Sequence, residues 1–491
     1  MNRRRRTTVG LIAGLTLIFL AVLLVRTVRL RSAQVAPAFP APVTVDGPAA
    51  AERLAALIRV PTISWGEVSK RDIGAFDRIL QVLDDAFPRV RRQLPREVIA
   101  QWSLLYVWRG QRPELPPIIL TSHLDVVPVD PATAAQWSHA PFDGTIADGA
   151  VWGRGAIDDK SGVAGLLEAV DALLASGFAP ERTVYLAFGH NEEGAGDPSG
   201  AGAIAAMLAE RGVANAWLMD EGGLISDQIQ GVHQPVAFVG VAEKGLMTLE
   251  IAASATGGHA SMPPAESAVG ILARALDRLE HQPMPTRLDG ATAAMFLTLA
   301  PDMTFPMRAA FANLDITRPL VLQMLAGKPQ TNALIRTTTA LTMLEGSPKA
   351  NVLATRARAV ANVRLLPGDT PESVESHVRR AVNDPRIELT RLGTPALASA
   401  VSASNTREFA VLSSAIRAVY PSVLVAPFLT MVATDSRQYG AVASQTYRFL
   451  PVHQDGALES IHGIDEHIRI DAYTQAIRVY ATLIRELAGA R

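Results

Sequence analysis

Three short apolar runs, each ending in acidic or histidine residues, constrain this chain most. Pro117–Ser122 (PIILTS), Thr183–Gly189 (TVYLAFG) and Ala216–Met219 (AWLM) are too short and too evenly apolar to be amphipathic helices. They read as strands buried on both faces. Between them lie two helical patterns. Asp158–Gly177 opens on the cap residues Asp158 and Asp159, carries apolar residues at 163, 166, 167, 170, 173 and 174, and stops at Gly177. Ala201–Arg211 is the second. Strand, helix, strand, helix, strand in this order implies an α/β sheet with parallel members. The 491 residues suggest two or three domains, and a hydrophobic share of 48% excludes general disorder.

The pattern changes near Gly240. Met247–Ile251 alternates apolar and polar residues, as a half-exposed strand does. Helices are expected over 267–280, 318–326 and 371–382, with strands near 335–343 and 357–365. That mixture is an inserted α+β unit whose sheet has one covered face. After Pro395 the α/β pattern returns, with strands near 423–428 and 446–450 and a closing helix over 471–487.

The N-terminus has its own logic. Arg3–Arg6 precede an uncharged apolar run, Val9–Val25, at the short end of the ~17–25 residues that span a bilayer. The basic cluster keeps that end in the cytoplasm and sends the body across. Arg26, Arg29 and Arg31 stand where a cleaved signal would place small residues, which favours a retained signal anchor over a secreted form. Ser32–Pro48, rich in Ala, Pro and Val, reads as an extended tether. Only five basic residues are Lys and Ala is abundant, which reads as the codon bias of a GC-rich bacterium. The expected location is therefore a bacterial inner membrane, with the body outside the cytoplasm.

The 46 basic and 47 acidic residues leave a net charge of −1, without the basic excess of a nucleic-acid binder. Cysteine is absent, so any metal site must use His, Asp and Glu. Four clusters of those residues fall at or just after predicted strand ends or at a helix start: His123-Leu-Asp125, Asp158-Asp159, Glu192-Glu193 and Asp220-Glu221. The carboxyl edge of an open α/β sheet is where ligands bind. Each cluster alone reads as a solvated turn or a helix cap. Together they favour a metal site with oxygen and imidazole ligands.

The fragments Ser122-His-Leu-Asp-Val-Val-Pro128, Trp137-Ser-His139, Trp152-Gly-Arg-Gly-Ala-Ile-Asp-Asp-Lys160, Glu192-Glu193 and Asp220-Glu221-Gly222 resemble those of the dinuclear-zinc amidohydrolases. This group holds carboxypeptidase S, aminoacylase and the N-fatty-acyl-amino-acid hydrolases. The resemblance continues through Gly257-Gly-His-Ala-Ser261, Thr331-Asn-Ala-Leu-Ile-Arg336, Thr434-Asp-Ser-Arg437 and Ile461-His-Gly463, and is nearest to the carboxypeptidase S-like branch. It implies an α/β zinc-peptidase domain with a mixed, largely parallel sheet and an inserted ferredoxin-like lid/dimerisation domain. The implied map is anchor 1–31, tether 32–48, catalytic part 49–240, lid 241–394 and catalytic part 395–491.

The resemblance also implies two Zn²⁺ ions per chain, with Co²⁺ or Mn²⁺ as possible substitutes. Asp158 would bridge them; His123 would bind one ion, Glu193 and His462 the other. The remaining ligand would come from Asp220 or Glu221, with Glu221 favoured. Glu192 would be the general base and Asp125 the partner of His123. His259 would serve a partner subunit's site in a homodimer. Arg437, Asn332 and Arg336 would contact a small peptide or N-acyl amino acid. The implied activity is removal of a C-terminal amino acid. The rival is a membrane-tethered solute-binding or scaffold protein on an inactive hydrolase fold. A serine hydrolase is disfavoured because no Gly-x-Ser-x-Gly occurs, and a thermolysin-type protease because no His-Glu-x-x-His occurs.

Overall fold

The computed structural model describes residues 3–37, 42–65, 67–194, 199–227, 229, 231–454 and 460–489. A ten-stranded mixed sheet carries the body. Its order runs 96–99, 103–108, 184–189, 118–123, 216–220, 443–448, 236–243, 225–226, 453–454, with 424–430 also paired to 236–243. The consecutive strands Val184–Gly189, Ile118–His123, Ala216–Asp220 and Ala443–Arg448 are all parallel. Their carboxyl ends therefore share one edge. All three apolar runs are strands here, and 118–123 and 216–220 are buried at every position. The helices Lys160–Ala175 and Ile470–Ala488 pack on each other over this sheet, burying Val163, Leu167, Val170, Tyr473, Ile477 and Ile484.

A second sheet is wholly antiparallel, in the order Thr338–Glu345, Arg356–Leu365, Gly245–Ser254, Ile387–Ala396. With helices Ala268–His281 and Pro371–Val382 it forms a βαββαβ unit of order 2-3-1-4, the ferredoxin-like arrangement. It has its own core, in which Leu249, Ile251 and Val363 meet Ile271, Leu272, Val374 and Val378. The segment between its first helix and second strand behaves differently from the expectation. Met295, Phe296, Phe311, Val321, Leu325 and Ile335 join the core of the large sheet, and helix Gly290–Leu299 packs on strand 424–430.

Helix Arg3–Arg29 is long and apolar enough over Leu11–Arg29 to cross a membrane, and its last turns meet the body. Residues 32–36, the start of the expected extended tether, are hydrogen-bonded to the body. The Gln34 amide donates to Val425 O (3.1 Å) and accepts from Val425 N (2.8 Å), standing in for a strand neighbour on 424–430. Arg417 donates to Val35 O at 2.7 Å and Ser32 to Asp302 at 2.8 Å.

Candidate metal centre

His123 ends its strand in register with Gly189, so His123 and the turn that carries Glu192 and Glu193 leave the sheet side by side. Strand 216–220 delivers Glu221 to the same edge, next to the turn before helix 160–175 that presents Asp158. His462 arrives on a later loop, in a left-handed backbone conformation (φ 61°) that is uncommon outside glycine. A buried ion pair ties that loop to the Asp158 turn. Arg154 Nη1 donates to Glu466 at 2.6 Å, and Arg154 Nη2 to His462 O and Gly463 O, both at 3.1 Å. The other oxygen of Glu466 accepts from Ile157 N (2.9 Å) and Asp158 N (3.2 Å).

The donor atoms converge. His123 Nε2 lies 2.9 Å from Asp158 Oδ1, and His462 Nε2 lies 3.1 Å from Asp158 Oδ2 and 2.9 Å from Glu193 Oε1. Three overlapping groups have donor atoms within 4.8 Å of one another: His123, Asp158 and Glu221; Asp158, Glu193 and His462; His123, Glu192 and Glu193. Asp220 joins none of them. Its carboxylate accepts from Glu221 N at 2.9 Å and Ser436 N at 2.6 Å, so it braces the turn from which Glu221 projects.

Asp125 does two things. His123 Nδ1 meets the Asp125 carbonyl oxygen at 3.0 Å and the carboxylate at 3.4 Å. A carbonyl oxygen only accepts, so Nδ1 carries a proton; Nε2 faces Asp158 and is the nitrogen that would bind a cation in place of its own proton. The Asp125 carboxylate meanwhile accepts from Glu192 N (3.1 Å) and Glu193 N (3.0 Å), pinning the acidic pair.

Burial pushes Glu192 well up, reinforced by Asp435, Glu193 and Asp158 and opposed by His123. Burial likewise raises Glu221, with Asp158, Asp159, Asp220 and Glu192 adding to it. Asp435 is pushed up to about 8 and Asp220 to about 6, burial being the main cause in both. Burial would raise Asp158 too, but hydrogen bonds from His123 and His462 outweigh it and hold its carboxyl below the ordinary range. The hydrogen bonds of Asp158 and Glu193 lift His462 to about 10. Carboxylates that burial drives toward protonation, gathered around two imidazoles, are a place for cations. An all-nitrogen and oxygen donor set with two histidines fits zinc.

Of the residues expected near a substrate, Arg437 follows Ser436, whose backbone N–H donates to Asp220. Arg437 donates through Nε to Thr434 O at 3.0 Å and stands 3.7 Å from buried Glu243. Its two terminal nitrogens meet no partner among the described residues. Asn332 Oδ1 and Arg336 Nε are buried with no hydrogen bond there. His259 is exposed on the short strand Gly258–His259, paired with Leu353 and Val352, and its Nδ1 meets Ser261 Oγ at 2.7 Å. Among the described residues it makes no contact with the metal-ligand candidates of its own chain.

Four residues here escaped the sequence reading. Besides Arg154 and Glu466, they are the adjacent pair Glu243-Lys244 at the junction of the two sheets. Glu243 accepts from Thr434 N, Thr434 Oγ1 and Arg448 Nε at 3.0–3.2 Å. Lys244 Nζ donates to Ala333 O and Arg336 O, both at 3.0 Å. The available signal was two opposite charges inside an otherwise apolar stretch, VGVAEKGLM.

Comparison with known proteins adds the family. Residues 119–486 match Peptidase family M20/M25/M40. A probable carboxypeptidase S-like 2 of Dictyostelium discoideum is 36% identical over 441 residues, covering 89% of this chain and 84% of that one. The human N-fatty-acyl-amino acid synthase/hydrolase PM20D1 is 34% identical over 441 residues, covering 88% and 87%. Among solved structures, the M20 family metallo-carboxypeptidase Sso-CP2 of Sulfolobus solfataricus shares the fold with a TM-score of 0.61 at 18% identity, over 89% of this chain and 98% of that one. Human carnosine dipeptidase 1 does so with a TM-score of 0.60 at 15% identity, over 90% and 96%. The chain therefore belongs to the M20/M25/M40 peptidase family, and is a hydrolase of that metal-dependent group.

Proposed function

We propose that this chain is a dizinc amide hydrolase that removes the C-terminal amino acid from short peptides or N-acyl amino acids. The observation that carries the reading is Asp158, whose two oxygens face His123 and His462 separately. One carboxylate thus serves two ligand sets: His123, Asp158 and Glu221 for one ion, and Asp158, Glu193 and His462 for the other. Two such ions, zinc or its cobalt or manganese substitutes, would polarise the amide carbonyl and lower the pKa of a water from ~16 toward ~7.

The chain's own groups do the rest. Glu192 takes the proton as the water oxygen bonds to the amide carbon, and returns it to the leaving nitrogen as the C–N bond breaks. Asp125 fixes the His123 tautomer and the backbone of both glutamates. The free nitrogens of Arg437, with Arg336 and Asn332, receive the substrate carboxylate, for which a guanidinium offers a two-pronged donor. The second sheet acts as the lid, and His259 acts across a homodimer on the partner's site. The relatives named for carboxypeptidase and for N-fatty-acyl-amino acid chemistry support both substrate classes. Helix Arg3–Arg29 holds the enzyme to the membrane.

The experiment is a screen of dipeptides and N-acyl amino acids with the purified holoenzyme, repeated after chelation and after zinc is restored. Turnover should vanish with the metal and return with it, while most of the fold survives. Full activity in metal-free protein would overturn the mechanism. An unoccupied, inactive metal site would restore the scaffold reading.

A further inference from the structure

Away from the catalytic edge, one apolar face is uncovered. Helix Leu314–Ala326 buries Val321 and Leu325 against the large core, yet it exposes Ile316 (46%), Leu320 (64%) and Met324 (40%) on the other side. Residues four apart lie above one another on a helix, so these three form a stripe. A helix facing only water would be polar there. Phe305 opens the neighbouring helix Phe305–Ala312 and is 57% exposed.

The position of this face relative to the N-terminal helix says what covers it. Asn313 Nδ2 donates to Leu23 O at 3.4 Å, and Arg26 donates to both oxygens of Asp315 at 2.8 and 3.0 Å. Arg308 donates to Thr27 O (2.9 Å) and Val28 O (3.3 Å), and also to Leu30 O. Leu23 lies within the apolar run and Arg26 just past its end. If that run spans a bilayer, Asn313 and Asp315 stand at the level where hydrocarbon gives way to headgroups. Ile316 is the next residue along. Arg29 and Arg31, just past the run, and Arg308, bonded to the carbonyls of Thr27 and Val28, supply cations near the same level, as anionic headgroups require.

We infer that Phe305, Ile316, Leu320 and Met324 rest in the outer headgroup–acyl boundary of the membrane that the anchor crosses. The occupant is a phospholipid bilayer, and the inference rests on the anchored reading above. The body then lies on the surface in one orientation. The docked residues 32–36, which leave no slack directly after the helix, support the same geometry. A face held beside the bilayer by its own anchor needs little intrinsic affinity, because its effective concentration there is high.

The chain has no cysteine, so single cysteines can report on each place in the full-length protein. The variants are Leu320→Cys, Phe305→Cys, Leu15→Cys in the apolar run, and Val98→Cys on the opposite edge strand of the large sheet. Each is labelled with an environment-sensitive fluorophore in phosphatidylcholine–phosphatidylglycerol nanodiscs, with and without doxyl-labelled lipid. Leu320→Cys, Phe305→Cys and Leu15→Cys should lose most of their emission to the quencher, and Val98→Cys none. If only Leu15→Cys is quenched, the face meets water and the inference is overturned while the anchor stands. If Leu15→Cys also escapes, both fall. Disulfide linkage of Leu320→Cys between two copies, without lipid quenching, would overturn the inference in favour of a second chain.

Discussion

Glu192 and Glu193 are neighbours in sequence with different surroundings. Glu193 Oε1 meets His462 at 2.9 Å, whereas Glu192 sits beside Asp435 and Asp158, and burial raises it well above the ordinary carboxylate range. Glu192→Gln keeps the shape and removes the base, so turnover should fall ~10²–10⁴-fold with metal content unchanged. Metal analysis beside the kinetics checks this, and metal loss would mean the two glutamates exchange roles. Arg437 has a similar division, with Nε engaged and the terminal nitrogens open. Arg437→Ala should weaken use of a free-acid N-acyl amino acid by ~2–5 kcal/mol, as truncating one partner of a buried charge pair does, and hardly change the poor amidated analogue. Equal hydrolysis of acid and amide by the unmutated enzyme would defeat that assignment. At this scale the acidic clusters were legible because their residue types are costly to place together without a cation. The sequence already favours Glu221 over Asp220; what it does not reveal is the pair of hydrogen bonds that occupies Asp220.

Elements were legible where periodicity alone defines them. The strands 184–189 and 216–220 and the helices 371–382 and 470–488 fall within a residue or two of expectation. Helices 290–299 and 314–326 show the limit: periodicity reveals an apolar face but not which sheet it meets, and these turn to the large sheet. Nor can composition reveal docking of residues 32–36 through one glutamine amide. The join between the two sheets rests on Glu243-Lys244. Lys244 is buried, with its ammonium pulled down to about 8 by burial and by Arg364 nearby. It satisfies two carbonyls at the end of helix Pro329–Ile335. Lys244→Met keeps the stem but strands those carbonyls, at a cost of ~1–3 kcal/mol. Hydrogen exchange should speed up over 329–338 and KM should rise, because Asn332 and Arg336 sit on that helix and its cap. Unchanged exchange there would show that the helix is held by its apolar contacts alone.

For the whole molecule, the proposed orientation rests on residues that never touch the catalytic centre. Four arginines, Arg3–Arg6, precede the apolar run, and three, Arg26, Arg29 and Arg31, follow it. Counted alone, that asymmetry is slight. Arg26 is paired with Asp315 through both carboxylate oxygens and lies where the body begins to dock. On the anchored reading proposed above, the basic N-terminus would stay in the cytoplasm, and a body joined to the far end of the helix would be carried across. The body should therefore be open to protease added to intact spheroplasts, leaving a short fragment that contains residues 9–25 in the membrane. Because residues 32–36 are docked, cleavage should be slow within them and faster at exposed loops of the body. A body that stays whole until the spheroplasts are lysed would reverse the orientation, and release of the intact body without protease would mean that the segment is a cleaved signal.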